Sequence, residues 1–193
     1  MTTPAPQSGI TTAATNPGKS VPAEGQSSGG GNSSEGAAKT LLVVHHSPTE
    51  VGQRIAAVVL DAARAAQREI AESGAASVRI VERDALIPDA DELRAADAVI
   101  LGTPANFGYI SGALKHYFDS TFDQAKDDTQ GLPVSWWIRG GYDTTGAEKA
   151  LRAITTGLQW DVAVEPVMFT GDVEPQREVL HNMAQAMVGL LVE

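Results

Sequence analysis

From residue 41 onward, short apolar segments alternate with longer stretches in which apolar residues recur every three or four positions. Short runs rich in branched aliphatic residues are typical of strands covered on both faces, whereas three- and four-residue spacing is typical of helices with one buried face. The pattern predicts five strands, at residues 41–45, 77–81, 98–102, 133–138 and 162–169. It also predicts helices at residues 51–70, 110–122, 145–158 and 176–192, with room for a short helix within residues 89–97.

The alternation of strands and helices predicts an α/β fold with a parallel sheet and helices on both faces, because successive parallel strands need crossover connections. In such sheets a ligand binds outside the carboxyl ends of the strands, where the winding direction reverses. Three loops that leave strand carboxyl ends have distinctive chemistry, at residues 46–52, 103–109 and 139–146.

The first loop places Ser47 and Thr49 just before a strongly predicted helix. Hydroxyl groups and free amides at a helix start can bind a phosphate dianion, even without Lys or Arg. The same residues also suit a simple helix cap, so both interpretations stay open. Glu50 is discordant with a phosphate site, because its carboxylate could repel the anion unless it points into solvent.

The second loop has the most specific chemistry of the three. An Asn beside two aromatic residues could hold a planar heteroaromatic ring by stacking and by amide hydrogen bonds, whereas the alternative is a hydrophobic turn that covers the sheet edge. The residues of this loop are Thr103, Pro104, Ala105, Asn106, Phe107, Gly108 and Tyr109.

The third loop follows a predicted buried strand and contains Gly140, Gly141 and Tyr142. Paired glycines let backbone amides approach a ligand, and the tyrosine could close over a flat ring. Taken alone, the segment also fits an ordinary glycine-rich turn followed by a helix cap at Thr144 or Thr145.

Residues 98–123, AVILGTPANFGYISGALKHYFDSTFD, resemble the strand, flavin-ring loop and following helix of flavodoxin-like FMN-binding proteins. The resemblance is to the NAD(P)H-dependent FMN reductase and quinone oxidoreductase branch, and its general layout covers about residues 40–193. It implies a three-layer sandwich around a five-stranded parallel sheet of order 2-1-3-4-5. Relatives commonly have Gly at the position of Glu50 and a hydroxyl residue at that of Gly52.

The resemblance also implies roles for the three loops. Ser47 and Thr49 would bind the FMN phosphate, residues 103–109 would flank the isoalloxazine ring, and Gly140, Gly141 and Tyr142 would form a third wall. The implied function is an FMN-dependent oxidoreductase that passes reducing equivalents from NAD(P)H to a small acceptor such as a quinone or flavin. Two alternatives stay open: a flavodoxin-type electron carrier and a cofactor-free binding domain. No side chain is assigned a catalytic role. Many relatives form dimers or tetramers, so a homo-oligomer is also possible.

Composition narrows the remaining classes of function. The 193 residues contain no Cys, which excludes cysteine chemistry. Their formal net charge of −10 disfavours nucleic acid as a partner. No run of 18 apolar residues and no secretory signal is present, so we expect no membrane partner and a cytoplasmic protein. His45 and His46 are adjacent on an extended segment and point to opposite faces, so we expect no metal site there.

The first 39 residues differ in composition from the rest of the chain. Of these, 22 are Gly, Ser, Thr or Pro, and none is aromatic. Such a segment cannot bury enough apolar surface to offset the entropy lost on ordering. We therefore predict a disordered tail at residues 1–39, either a tether or a dispensable extension, and one FMN-binding domain at residues 40–193.

Overall fold

The computed structural model describes residues 38–192. The expected tail lies outside the described residues up to residue 37, and Lys39 begins the first strand. The strands are β1 (Lys39–His45), β2 (Val78–Asp84), β3 (Ala98–Asn106), β4 (Tyr109–Ile110), β5 (Pro133–Gly140), β6 (Asp161–Val162) and β7 (Val167–Thr170). The helices are α1 (Glu50–Ser73), α2 (Ala90–Arg94), α3 (Gly112–Ala125), α4 (Thr145–Gly157) and α5 (Arg177–Gly189), with a 3₁₀ turn at Glu174–Gln176.

The strands form one sheet in the order β2-β1-β3-β5, with β6 and β7 both paired to the outer side of β5. These pairings are parallel, and the order confirms the expected 2-1-3-4-5 arrangement when β6 and β7 are counted as one fifth strand. The winding direction reverses between β1 and β3, because the chain moves from β1 outward to β2 and then back across to β3. The carboxyl ends of β1 and β3 therefore flank the place where a ligand is expected.

The sheet departs from the sequence prediction at its outer edge. The prediction of one continuous strand over residues 162–169 is wrong, because the structure has two short strands there, β6 and β7. Val134 of β5 pairs with Val162, but Trp137 pairs with Val167, so three steps along β5 correspond to five along the edge. Pro166 lies within the interruption and has no N–H to donate to the ladder, which explains why regular pairing stops and restarts.

Two apolar layers cover the sheet, one on each face. One layer joins it to α1 and α5 and contains Trp137, while the other joins it to α2, α3 and α4 and contains Trp136. Adjacent residues of a strand point to opposite faces, so these two side chains fill both layers at the same level of β5. No helix among residues 38–192 is long and apolar enough to cross a bilayer.

Candidate functional site

The three predicted loops meet at a cleft of about 300 Å³ beyond the carboxyl ends of β1, β3 and β5. Seven of the twelve expected site residues line this cleft: Ser47, Thr49, Thr103, Pro104, Ala105, Asn106 and Gly141. Six further residues complete the wall: His46, Pro48, Gly52, Ile55, Trp137 and Arg139.

The first wall is the turn between β1 and α1, and Thr49 caps the helix. Its hydroxyl oxygen accepts a hydrogen bond from the Gly52 amide at 3.1 Å, and its carbonyl accepts from the Gln53 amide at 2.8 Å. The amides of Glu50 and Val51 have no hydrogen-bond partner among the described residues. The cap therefore leaves two amide donors at the positive end of the α1 dipole, where an anion is favoured.

Gly52 fits this turn for a steric reason. A Cβ at this position would lie 3.2 Å from Cα of Ser47 and 3.3 Å from Oγ1 of Thr49, which is closer than most side chains tolerate. The glycine therefore lets the turn fold tightly over the first turn of α1. Glu50 is exposed at the start of the same helix, where its charge stabilises an empty helix end.

The second wall is formed by the end of β3, which continues to Asn106 rather than ending at Gly102 as the sequence predicted. Asn106 pairs with Tyr109 of β4, so Phe107 and Gly108 are the two central residues of a tight hairpin. Both have positive φ, 51° and 74°, as a type I′ hairpin turn requires. The Phe107 side chain is fully exposed at the tip.

Thr103 anchors this wall from below. Its buried hydroxyl accepts a hydrogen bond from the Ser111 amide at 2.9 Å and donates one to the Pro104 carbonyl at 2.9 Å. Ser111 in turn caps α3 by accepting from the Leu114 amide at 3.1 Å. Thr103 thus borders the cleft, while its hydroxyl proton is already used in the hydrogen bond to the Pro104 carbonyl.

The third wall is the turn after β5. Gly141 borders the cleft, Gly140 is buried where a Cβ would collide with the Asp143 carbonyl, and Tyr142 is fully exposed. The Asp143 carboxylate accepts from the Thr145 hydroxyl at 2.7 Å and from the Thr145 amide at 3.2 Å, and these hydrogen bonds lower the pKa of Asp143. Asp143 therefore supports the start of α4, whereas Thr144, one of the two expected caps, makes no capping bond with its side chain.

Five of the expected site residues do not line the cleft: Phe107, Gly108, Tyr109, Gly140 and Tyr142. Phe107 and Tyr142 each follow a lining residue directly in sequence, and both aromatic side chains are fully exposed. Tyr109 borders a separate groove with residues of α4. Gly108 rests on α4, since a Cβ at Gly146 would collide with the Gly108 carbonyl oxygen. Close packing of these two glycines fixes the second wall against the third.

Sequence reasoning missed Trp137 and Arg139 as parts of the site. They are two residues apart at the end of β5, which places them on one face of the sheet. The Trp137 ring lies over Gly102, where any Cβ would collide with the indole. Arg139 also lines the cleft, and its guanidinium donates to the Gly171 carbonyl at 3.2 Å. The two-residue spacing is a usable signal only if the strand extends to Arg139, and the apolar pattern predicts that it ends at residue 138.

Solved structures with the same chain path include an oxidoreductase from Corynebacterium diphtheriae, 19% identical, with a TM-score of 0.61 over 81% of this chain and 98% of that one. A WrbA-like flavodoxin from Agrobacterium tumefaciens is 15% identical, with a TM-score of 0.57 over 80% and 98%. Oxidised flavodoxin 1 from Bacillus cereus is 15% identical, with a TM-score of 0.61 over 80% and 100%. These similarities show that the fold is flavodoxin-like.

A comparison with curated proteins finds no match. The sequence profile described as NADPH-dependent FMN reductase matches residues 40–173, which include all three walls of the cleft and all of the sheet except Lys39. The chain belongs to the NADPH-dependent FMN reductase family.

Proposed function

We propose that this family member binds FMN in the cleft and passes reducing equivalents from NADPH or NADH to a small acceptor such as a quinone or another flavin. The observation that carries the proposal is the convergence of three chemically distinct loops on one cleft at the switch point of the sheet. This placement supports the roles that the sequence resemblance implied for the loops.

The groups in the cleft fit the two ends of FMN. At the β1–α1 turn, the Ser47 hydroxyl and the amides of Glu50 and Val51 suit a phosphate, and Gly52 leaves the turn free of a side chain. At the other end, Asn106 offers both a donor and an acceptor to the polar edge of a flavin ring.

FMN supplies the hydride and electron chemistry when it is bound, so the protein has to provide position, electrostatics and access. Trp137 and Ile55 give the cleft an apolar side that excludes water. Arg139 places a positive charge in the wall, where it stabilises negative charge that enters the site on reduction. Gly141 leaves its wall free of a side chain, so the backbone can approach a flat ring.

The exposed rings of Phe107 and Tyr142 complete the proposal at the mouth of the cleft. The Phe107 side chain is exposed on a strained hairpin tip, so it does not contribute to stability by packing in the protein core. Stacking on a flavin would remove both its own surface and that of the ligand from water.

Binding is tested by titrating the purified protein with FMN and following the loss of flavin fluorescence. Phe107→Ala should weaken FMN binding by roughly 1 to 3 kcal/mol if the ring stacks there. Phe122→Ala is a matched control, because Phe122 is also an exposed phenylalanine but borders a different groove, between α3 and α4. An unchanged dissociation constant in the Phe107 variant would remove the hairpin tip from the site.

Turnover separates the proposed enzyme from the two alternatives. Oxidation of NADPH or NADH in the presence of FMN and a quinone should proceed with the wild-type chain. A flavodoxin-type carrier would bind FMN but consume almost no nicotinamide cofactor. A cofactor-free binding domain would stay colourless after incubation with FMN and would show no thermal shift with it.

A further inference from the structure

A chain of hydrogen-bonded side chains leads from the cleft, across the end of β1 and β2, to Arg64 of α1. The Ser47 hydroxyl lies 3.0 Å from Nδ1 of His45, and Nε2 of His45 lies 3.3 Å from a carboxylate oxygen of Glu82 on β2. The second Glu82 oxygen accepts a hydrogen bond from Arg64 of α1 at 3.1 Å. Ser47 borders the cleft, so this chain connects a group inside the candidate site with charged groups outside it.

His45 has charged groups on one side, and the Trp137 ring lies nearby, with 5.8 Å between the two ring centroids. Glu82, Arg64 and Asp61 border a separate open cleft that His45 also lines, and Asp84 is the register partner of His45 on β2. The imidazole is mostly buried, with 13% of its side-chain surface exposed, whereas Glu82 is 44% exposed. Three carboxylates and one guanidinium therefore lie on the side of the ring that faces away from the candidate site.

The protonation of His45 decides what Ser47 can offer to a ligand. When the imidazole is neutral and donates from Nε2 to Glu82, Nδ1 is an acceptor, and the Ser47 hydroxyl donates to it. Ser47 then shows the cleft only oxygen lone pairs. When the imidazole is protonated, Nδ1 donates to Ser47, and the hydroxyl proton is free to point into the cleft.

We propose that His45 couples proton uptake to anion binding: a phosphate group bound at Ser47 takes one proton from solvent onto His45, whose Nδ1 then donates to Ser47 while the Ser47 hydroxyl donates to the phosphate. The inference deepens the proposed function and rests on it for the identity of the phosphate, which is that of FMN. His45 is a positioning residue, since it acts on the ligand through Ser47.

Calorimetry measures the coupling directly. At about pH 7.5 a phosphate monoester is already almost wholly dianionic, so its own titration contributes little. FMN is titrated into the full chain in two buffers with different ionisation enthalpies, and the difference in heat gives the number of protons taken up. We expect at least half a proton per FMN bound. Riboflavin lacks the phosphate and should bind with no proton uptake.

Two variants of His45 separate the coupling from a structural role. His45→Asn keeps an amide donor near the Nδ1 position but cannot titrate, so it should bind FMN within about threefold of wild type and take up no proton. His45→Ala removes the donor and should weaken FMN binding about tenfold while riboflavin binding is unchanged. His116→Asn is the matched control, because His116 also lies beside a serine, with Nδ1 3.4 Å from Ser120, but on α3 away from the cleft.

Each outcome of this experiment decides between the two proposals. Proton uptake with FMN that is lost in His45→Asn and kept in His116→Asn would support the coupling. FMN binding with no proton uptake, or uptake that persists in His45→Asn, would overturn the coupling and leave the proposed function intact. A wild-type chain that binds no FMN would overturn both.

Discussion

At the scale of single residues, the backbone of Phe107 is the most informative feature of the site. A bulky residue with φ of 51° is strained by about 1 to 3 kcal/mol, and Gly108 beside it has the conformation that glycine adopts freely. A glycine at position 107 would form the same turn without strain. The protein keeps an exposed aromatic ring there instead, which fits a ring that has a ligand to contact.

We therefore expect Phe107→Gly to separate stability from binding. The free energy of unfolding should stay the same or rise by up to about 2 kcal/mol, since relief of strain outweighs the added entropy of the unfolded chain. FMN binding should weaken at the same time. Thermal melts and fluorescence titrations of one preparation measure both, and a destabilised variant that binds FMN normally would show that the ring packs on the protein and not on the ligand.

Glu50 is the residue that argues most strongly against a phosphate at the start of α1. It is exposed, so its carboxylate can turn toward water when an anion binds, but its charge still opposes the anion. Glu50→Gln should tighten FMN binding about two- to fivefold, from the usual effect of one charge at a helix start. Glu178→Gln, in the first turn of α5, should leave it unchanged. Looser binding in the Glu50 variant would mean that this side chain contacts the ligand favourably.

Among single residues, those with a local signal were predictable and those defined by distant partners were not. Ser47, Thr49 and Asn106 stood out because hydroxyl and amide groups followed predicted strands. The contact between His45 and Glu82 depends on the pairing of β1 with β2, which joins residues 37 positions apart. No spacing along the chain indicates such a contact.

At the scale of elements, the packing of the β3–β4 hairpin against α4 holds two walls of the cleft in place. The carbonyl of Gly108 approaches Gly146 so closely that no side chain fits between them. Gly146→Ala should therefore displace the hairpin and weaken FMN binding severalfold, even though alanine is about 1 kcal/mol better than glycine inside a helix.

Gly157 at the other end of α4 is the matched control for this prediction. Apart from its chain neighbours and the backbone of α4, no atom of residues 38–192 lies within 4 Å of the place that a Cβ would take, so Gly157→Ala should keep the wild-type affinity for FMN. Equal affinities in both variants would show that the hairpin position does not matter for binding.

The order and type of the main elements could be predicted from the sequence, because buried strands and amphipathic helices have different apolar spacing. The predicted strands are shorter than the observed ones at β1, β2, β3 and β5. The extra residues of β3 include Pro104 and Asn106, which are polar or cyclic and have no strand signal of their own; they are extended because β5 pairs with the first and β4 with the second. Pairing with distant strands also decided where the sheet edge breaks.

At the scale of the whole molecule, the formal charge of −10 belongs to residues 40–193, since the charges of the first 39 residues cancel. An acidic protein repels a dianion at long range, so the cleft has to supply local positive potential. The free amides of α1 and the guanidinium of Arg139 are the groups placed to do so. The binding site thus needs a local positive potential within a molecule of negative net charge.

The expected division of the chain into a tail and a domain gives a test at this scale. Lys39 pairs with Asp97 at 2.8 Å and begins β1, so a shortened chain has to keep it. A chain that begins at Glu35 should melt within about 2 °C of the full chain and bind FMN with the same dissociation constant. A large loss of stability or affinity would assign the first 34 residues a part in the domain.

The crystal structure of the protein saturated with FMN tests the central claim most directly. We expect the phosphate beside Ser47 and the amides of Glu50 and Val51, and the flavin ring against residues 103–106 and Gly141. FMN bound elsewhere on the surface, or a cleft without flavin density in crystals grown from saturated protein, would contradict the account.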